Sequence, residues 1–169
     1  MRATAVALLV IVAAAIVVPA SGAEPANLRV GVYDNRAVTV AYAHSEFNPV
    51  DEKMKKHKQA EAQGDTGRMK ELEAWGERHQ HELHLKGFCH APVDDLLAYV
   101  EDRLPEVARR TGVDVIARAC DYVAEDVDVV DVTMELVALF DPGEEALRTI
   151  EQMEGVEAVP LADIERHGH

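Results

Sequence analysis

Cationic residues are scarce in this chain of 169 residues: 17 Lys and Arg stand against 31 Asp and Glu, for a formal net charge of −14. Binding to phosphate backbones or anionic lipid needs clustered positive charge, so this balance argues against a nucleic-acid or lipid-surface role. Aromatic residues are also few, at 5%. Trp75, Phe88 and the tyrosines are too scattered for a base-stacking platform, and the core must rest on Val, Leu and Ala. The only cysteines are Cys89 and Cys120, and without a Cys-x-x-Cys pair they do not form a dithiol redox motif. Neither of the two serines, Ser21 and Ser45, lies in a Gly-x-Ser-x-Gly turn, and no Walker or dinucleotide-type glycine run occurs. After Glu24 every apolar stretch is broken by charge well short of transmembrane length.

The beginning of the chain is different. Met1-Arg2 is a short positive start, 18 of the first 23 residues are apolar, and Pro19-Ala20-Ser21-Gly22-Ala23 supplies small residues suited to signal-peptidase cleavage. Residues 1–23 therefore read as a signal peptide, with Glu24 as the expected mature start and the periplasm or extracellular space as the destination. No integral membrane segment is expected after cleavage. In an oxidising compartment Cys89 and Cys120 leave three alternatives open: a disulfide within the chain, one between chains, or two isolated thiols.

Charge divides the remainder into unequal parts. Residues 24–45 are neutral, residues 46–90 carry eight basic and nine acidic residues, and residues 91–169 carry six basic and twenty acidic. The middle, rich in Lys, Glu, Gln, Ala and Met, has helix-forming composition with solvated faces. Leu28 to Tyr33 alternates as a short strand, and Asp34 or Asn35 can cap a helix through Ala37, Val38, Ala41 and Tyr42. Residues 50–63 read as helix, Gly64-Asp65-Thr66-Gly67 as a turn, and a further helix runs to about Lys86 with Met69, Leu72, Trp75, His79 and Leu83 as a narrow apolar seam. Gly87 to Pro92 reads as a loop. An amphipathic helix opens at Pro92, buries Leu97, Val100, Leu104 and Val107, is kinked at Pro105 and ends at Thr111-Gly112. Val113–Ile116, Tyr122–Ala124 and Val127–Val132 read as strands. Thr133 is expected to cap a short helix stopped by Asp141-Pro142-Gly143, and a last helix follows at 144–153.

The segments LRVGVYDNRAVTVAYAHS (residues 28–45) and Leu104 to Phe140, especially VDVIARACDYVAEDVDVVDVTMELVALF (residues 113–140), in this order around a helical middle, resemble the Skp/OmpH family of periplasmic chaperones. The resemblance implies an α+β fold: a small β-sheet body built from N-terminal and C-terminal strands, with a helical hairpin or short coiled-coil arm inserted at about residues 46–111. Residues 24–141 would be the Skp/OmpH-like domain, and residues 142–169 a C-terminal helix and polar tail. It further implies a homo-oligomer, a trimer in that family, which binds unfolded or outer-membrane proteins without catalysis. On that resemblance this chain would be an acidic variant, whereas the best-known members are basic. Its arm is short, since two equal antiparallel helices drawn from residues 47–111 would reach only about 45 to 50 Å at 1.5 Å per residue.

Within that plan, the expected client-binding positions are the flexible or broad apolar residues of the arm, Met54, Met69, Trp75 and Phe88. A competing expectation is a periplasmic metal-binding protein. Glu77, His81 and His84 fall at i, i+4 and i+7 on one helix face, with Cys89 and His90 close behind, and imidazole, thiolate and carboxylate are zinc or copper ligands. The acidic cluster Glu125, Asp126, Asp128 and Asp131 lacks the glycine and distal Glu of an EF-hand and fits a solvated strand face better. No catalytic residue and no cofactor are assigned.

Overall fold

The computed structural model describes residues 27–160. The expected signal peptide and residues 161–169 of the polar tail lie outside the described residues. Three short strands, β1 (Arg29–Val32), β2 (Val115–Ala117) and β3 (Asp128–Asp131), form one sheet in the order β2-β1-β3. Both outer strands run parallel to β1, with Val30 opposite Val115 and Val129, and Gly31 opposite Ile116 and Val130. The N-terminal strand thus pairs with strands from the far half of the chain, and the fold is α+β with a long helical insertion between them.

The helical insertion begins with α1 (Asn35–Ala43), whose start is capped by Asp34: its Oδ1 accepts from the Arg36 backbone N–H at 2.8 Å. Ala37, Val38, Ala41 and Tyr42 on this helix are buried. A hairpin of α2 (Val50–Gln63) and α3 (Thr66–Phe88) follows, turning at Gly64 and capped at α3 by Asp65, which accepts from the Arg68 N–H at 2.9 Å. The chain then passes through α4 (Asp94–Leu97), a 3-10 turn at Ala98–Arg103 and α5 (Leu104–Thr111) before entering β2. After β3 come α6 (Thr133–Val137), a 3-10 turn at Ala138–Phe140 and α7 (Glu144–Met153).

Side chains alternate across a strand, so Ile116 and Val130 project toward the helices and join the core. Gly31 shares that face, and a Cβ there would meet Val132 methyls at 3.1 Å and a Val113 methyl at 3.2 Å. Glycine therefore permits the close approach of these valines to the central strand. The core continues through Val93, Leu96, Val100, Val107, Leu136, Val137 and Phe140. Rings of Tyr42 and Phe47 meet Phe140 edge-on, at centroid distances of 6.2 and 6.0 Å. Helix α7 packs against α1 and buries Ala146, with Ile150 against the same core, so the C-terminal helix belongs to the body.

Several expected boundaries move. Residues 122–124 are not a strand: they find no ladder partner, and Tyr122 is 84% exposed. The neighbouring strand, β2, also starts later than its apolar pattern predicts, because the turn leaving α5 claims Val113, whose N–H bonds to the Ala108 carbonyl. The helix break falls at Val100 (φ −128°, ψ 16°), not at Pro105, which sits in the first turn of α5 where its missing N–H costs nothing. Gly87 and Phe88 remain helical, and the helix expected from Pro92 begins at Asp94. Thr133 does not cap α6 by its side chain; its Oγ1 accepts from the Asp34 N–H at 3.0 Å and ties α6 to the end of β1. The hairpin helices are unequal, 14 and 23 residues, or about 21 and 35 Å long, and α3 packs on α1 along part of its length.

Candidate functional site

A wide opening lies where the hairpin meets α1 and α7. Amphipathic α3 faces α2 on one side and α1 on the other, but its seam is too narrow to fill the angle between them. A groove of about 590 Å³ results, walled by Val40 of α1, Met54 of α2, Trp75, Leu83 and Phe88 of α3, and Met153 of α7. Along α3 it extends from Leu72 to Phe88, about 24 Å at 1.5 Å per residue. Met54 and Phe88 are 53% and 52% exposed, although both are large apolar side chains.

Polar groups mark the groove walls. Lys53 Nζ stands 5.1 Å from the Trp75 ring centroid, within cation–π range. The Trp75 indole stacks on His79 at 4.7 Å with the planes 17° apart, and His79 Nε2 lies 2.9 Å from Asn48 Oδ1. Burial lowers the pKa of His79, opposed by the nearby Glu82 carboxylate and assisted by Lys86. His57 Nε2 pairs with Glu73 Oε1 at 3.2 Å, and the His84 ring meets Phe88 edge-on at 5.3 Å. At the Phe88 end, the Val159 N–H donates to the Phe88 carbonyl at 2.9 Å and brings the C-terminal segment to the rim.

Of the four apolar arm residues singled out by sequence, Met54, Trp75 and Phe88 come together in this groove, whereas half-buried Met69 does not line it. Met153 and Val40, also part of the wall, have no local signature that separates them from ordinary amphipathic-helix positions; only the docking of α7 and α1 against the hairpin places them here. The metal-ligand candidates do not converge. Helix α3 keeps Glu77, His81 and His84 exposed, Cys89 is buried at the end of α3, and His90 Nδ1 is directed to Asn35 Oδ1 at 3.2 Å. Among the described residues, no group of three or more His, Cys, Asp or Glu side chains could hold a metal ion. Cys89 is buried while Cys120 is exposed, and no disulfide joins them.

At the other side of the sheet, Val115 and Val129 are 46% and 47% exposed. In a parallel sheet, which ordinarily has both faces covered, the face bearing Val30, Val115 and Val129 carries no helix layer among the described residues. No described helix is long and apolar enough to cross a membrane. The chain matches no protein-family model, and neither a curated protein nor a solved structure matches it.

Proposed function

We propose that this chain is an exported, non-enzymatic, chaperone-like protein that binds apolar stretches of unfolded or partner polypeptides. The observation that carries the reading is the open groove bearing Met54, Trp75, Phe88 and Met153. Methionine adapts its shape to different apolar partners, and broad aromatic faces bind without demanding a particular sequence. An open apolar groove of this length accommodates several consecutive side chains of an extended segment, such as an unfolded outer-membrane protein presents. The groove lining carries one Lys, Lys53, and one carboxylate, Glu73, so the acid excess of the second half of the chain does not extend to this surface.

The uncovered sheet face supports association into a homo-oligomer, the trimer that the Skp/OmpH resemblance implies. Burial of Val30, Val115 and Val129 against another copy would remove apolar area from water, at roughly 25 cal/mol per Å².

The test substitutes Met54, Trp75 and Phe88 together by Ser and measures suppression of aggregation of a denatured outer-membrane protein as it is diluted from urea. Met54 and Phe88 are half exposed and Trp75 is partly buried, so circular dichroism verifies that the variant folds. Loss of suppression in the folded variant is expected, with Met69→Ser leaving it intact; unchanged suppression in the triple variant would remove the groove from the mechanism. Molar mass by light scattering during size-exclusion chromatography, at low and high salt, tests the oligomer: a monomer at both salt concentrations would overturn the trimeric arrangement.

A further inference from the structure

A second cavity, of about 360 Å³ and with several polar side chains in its lining, opens at the carboxyl ends of all three strands, where Val32 ends β1, Arg118 follows β2 and Asp131 ends β3. In open parallel sheets this edge is where the chain leaves the strands toward the helices and where polar groups converge on ligands. The cavity plays no part in the apolar groove, and the inference below does not depend on the chaperone-like reading.

Its chemistry is set by a buried amide. Asn35 is fully buried at the start of α1, and its Nδ2 donates toward the carbonyls of Lys86, Cys89 and Ala91 at 2.9, 2.9 and 3.0 Å. Carbonyl oxygens only accept, so the NH₂ end must face them and Oδ1 must face away. That oxygen lies 3.2 Å from His90 Nδ1. An amide oxygen also only accepts, so in a neutral imidazole Nδ1 is the protonated nitrogen and Nε2 the acceptor, on a residue that lines the cavity. The same framework that pins the end of α3 to α1 therefore fixes the tautomer of a solvent-accessible imidazole.

The other walls supply both signs of charge. Arg118 lines the cavity and enters no ion pair among the described residues. Its guanidinium acts on the Tyr33 phenol, whose pKa is raised by burial and by Asp94 and drawn back by Arg118. Thr133 Oγ1 accepts from the Asp34 N–H and keeps its own proton for donation. Asp34 itself is neutralised by Arg36, with Nη2 2.7 Å from Oδ2. Asp131 is different: its Oδ1 accepts from the Thr133 N–H at 2.8 Å, and its second oxygen remains. The cavity thus offers donors, Arg118, Tyr33 and Thr133, together with acceptors, Asp131 and His90 Nε2.

We propose that this cavity binds a free α-amino acid as its zwitterion, with the carboxylate on Arg118 and the hydroxyls, and the ammonium between Asp131 and His90 Nε2. A simple carboxylate would be repelled by Asp131, and a simple amine by Arg118; only a small molecule carrying both groups satisfies both walls. At about 360 Å³ the cavity has room for the backbone groups and for a side chain beyond alanine.

The full mature protein, labelled with ¹⁵N, is titrated at about pH 7.5, above the ordinary pKa of histidine, with L-alanine, with propionate and with ethylamine. The His90 ring nitrogens and the Arg118 Nε are the probes. Saturable shifts with L-alanine are expected, with propionate and ethylamine each at least ~10-fold weaker, a factor expected for loss of one charged contact. Arg118→Met and Asp131→Asn, both at exposed positions, should each lower the affinity for L-alanine by ~10-fold while the amide spectrum keeps its dispersion. The free protein should show His90 as the Nδ1–H tautomer. Absence of saturable shifts with L-alanine, or propionate binding as tightly as L-alanine, would overturn the proposal.

Discussion

The body and the hairpin are both helical in large part, yet they are held in opposite ways. In α1, six of nine residues are buried, including two polar ones with internal partners; in α2 only Ala60 is buried among 14, and in α3 only Leu72 among 23. The body is stabilised by a continuous apolar core centred on Val38, Leu136 and Phe140. The hairpin rests on helix propensity, caps and a seam one or two side chains wide, so it opens at lower free energy than the body. This difference is what leaves apolar side chains accessible at their junction: a second full core would have closed the groove.

Breaking the comparison starts in the body. Phe140→Ala removes a ring that is 2% exposed and in contact with Tyr42 and Phe47, and should cost about 3–5 kcal/mol in global unfolding by urea. Leu72→Ala, the corresponding deletion in α3, should cost about 2–3 kcal/mol. Its effect should appear in hydrogen exchange as faster opening of α2 and α3, with body amides less affected; uniform loss of protection would show that hairpin and body unfold together. Gly31→Ala forces a methyl against Val132 and Val113 and should cost about 1–2 kcal/mol, measured by the urea midpoint at an unchanged slope.

The smallest effect is a pH dependence confined to the junction. Burial lowers the folded-state pKa of His79, so below its ordinary value of about 6.5 the unfolded chain binds a proton that the folded chain resists. Stability contributed by the neutral ring is present at neutral pH and is lost as pH falls through that window. His79→Gln, which keeps a donor for Asn48, should flatten the stability profile there; an unchanged slope would assign it to other groups. Asp34 acts at lower pH in the same direction. Burial opposes its ionisation, but hydrogen bonds and charge from Arg36 hold its carboxyl below the usual range, so its contribution is lost only on further acidification.

Elements with a strong local signal were legible. Asp34 caps its helix, Gly64 and Gly112 end theirs, and the 3.6-residue spacing along Leu72, Trp75, His79 and Leu83 marks the seam of α3. Strand limits were not, because an apolar alternation such as Tyr122–Ala124 becomes a strand only where a neighbouring backbone supplies hydrogen bonds. The groove was legible in part. Met54, Trp75 and Phe88 stand out as large apolar residues in a polar segment, whereas Met69 has the same local character and lies outside the groove. Glu77, His81 and His84 do share a helix face, but a metal site needs further ligands from other elements, and the packing turns Cys89 and His90 elsewhere.

By itself the sequence determined the two hairpin helices, the cap at Asp34, the helix ends at Gly64 and Gly112, a strand before and strands after a helical middle, and the excess of acid in the second half, because periodicity, capping and charge are properties of neighbours in the chain. Tertiary structure alone decided that all three strands run parallel with β1 at the centre, and that α7 completes the wall of the groove. It also decided that the Asn35 amide meets the His90 ring across 55 residues. Those are relations between distant segments, selected by which faces can be buried together and which buried polar atoms can find partners, and no local pattern encodes them.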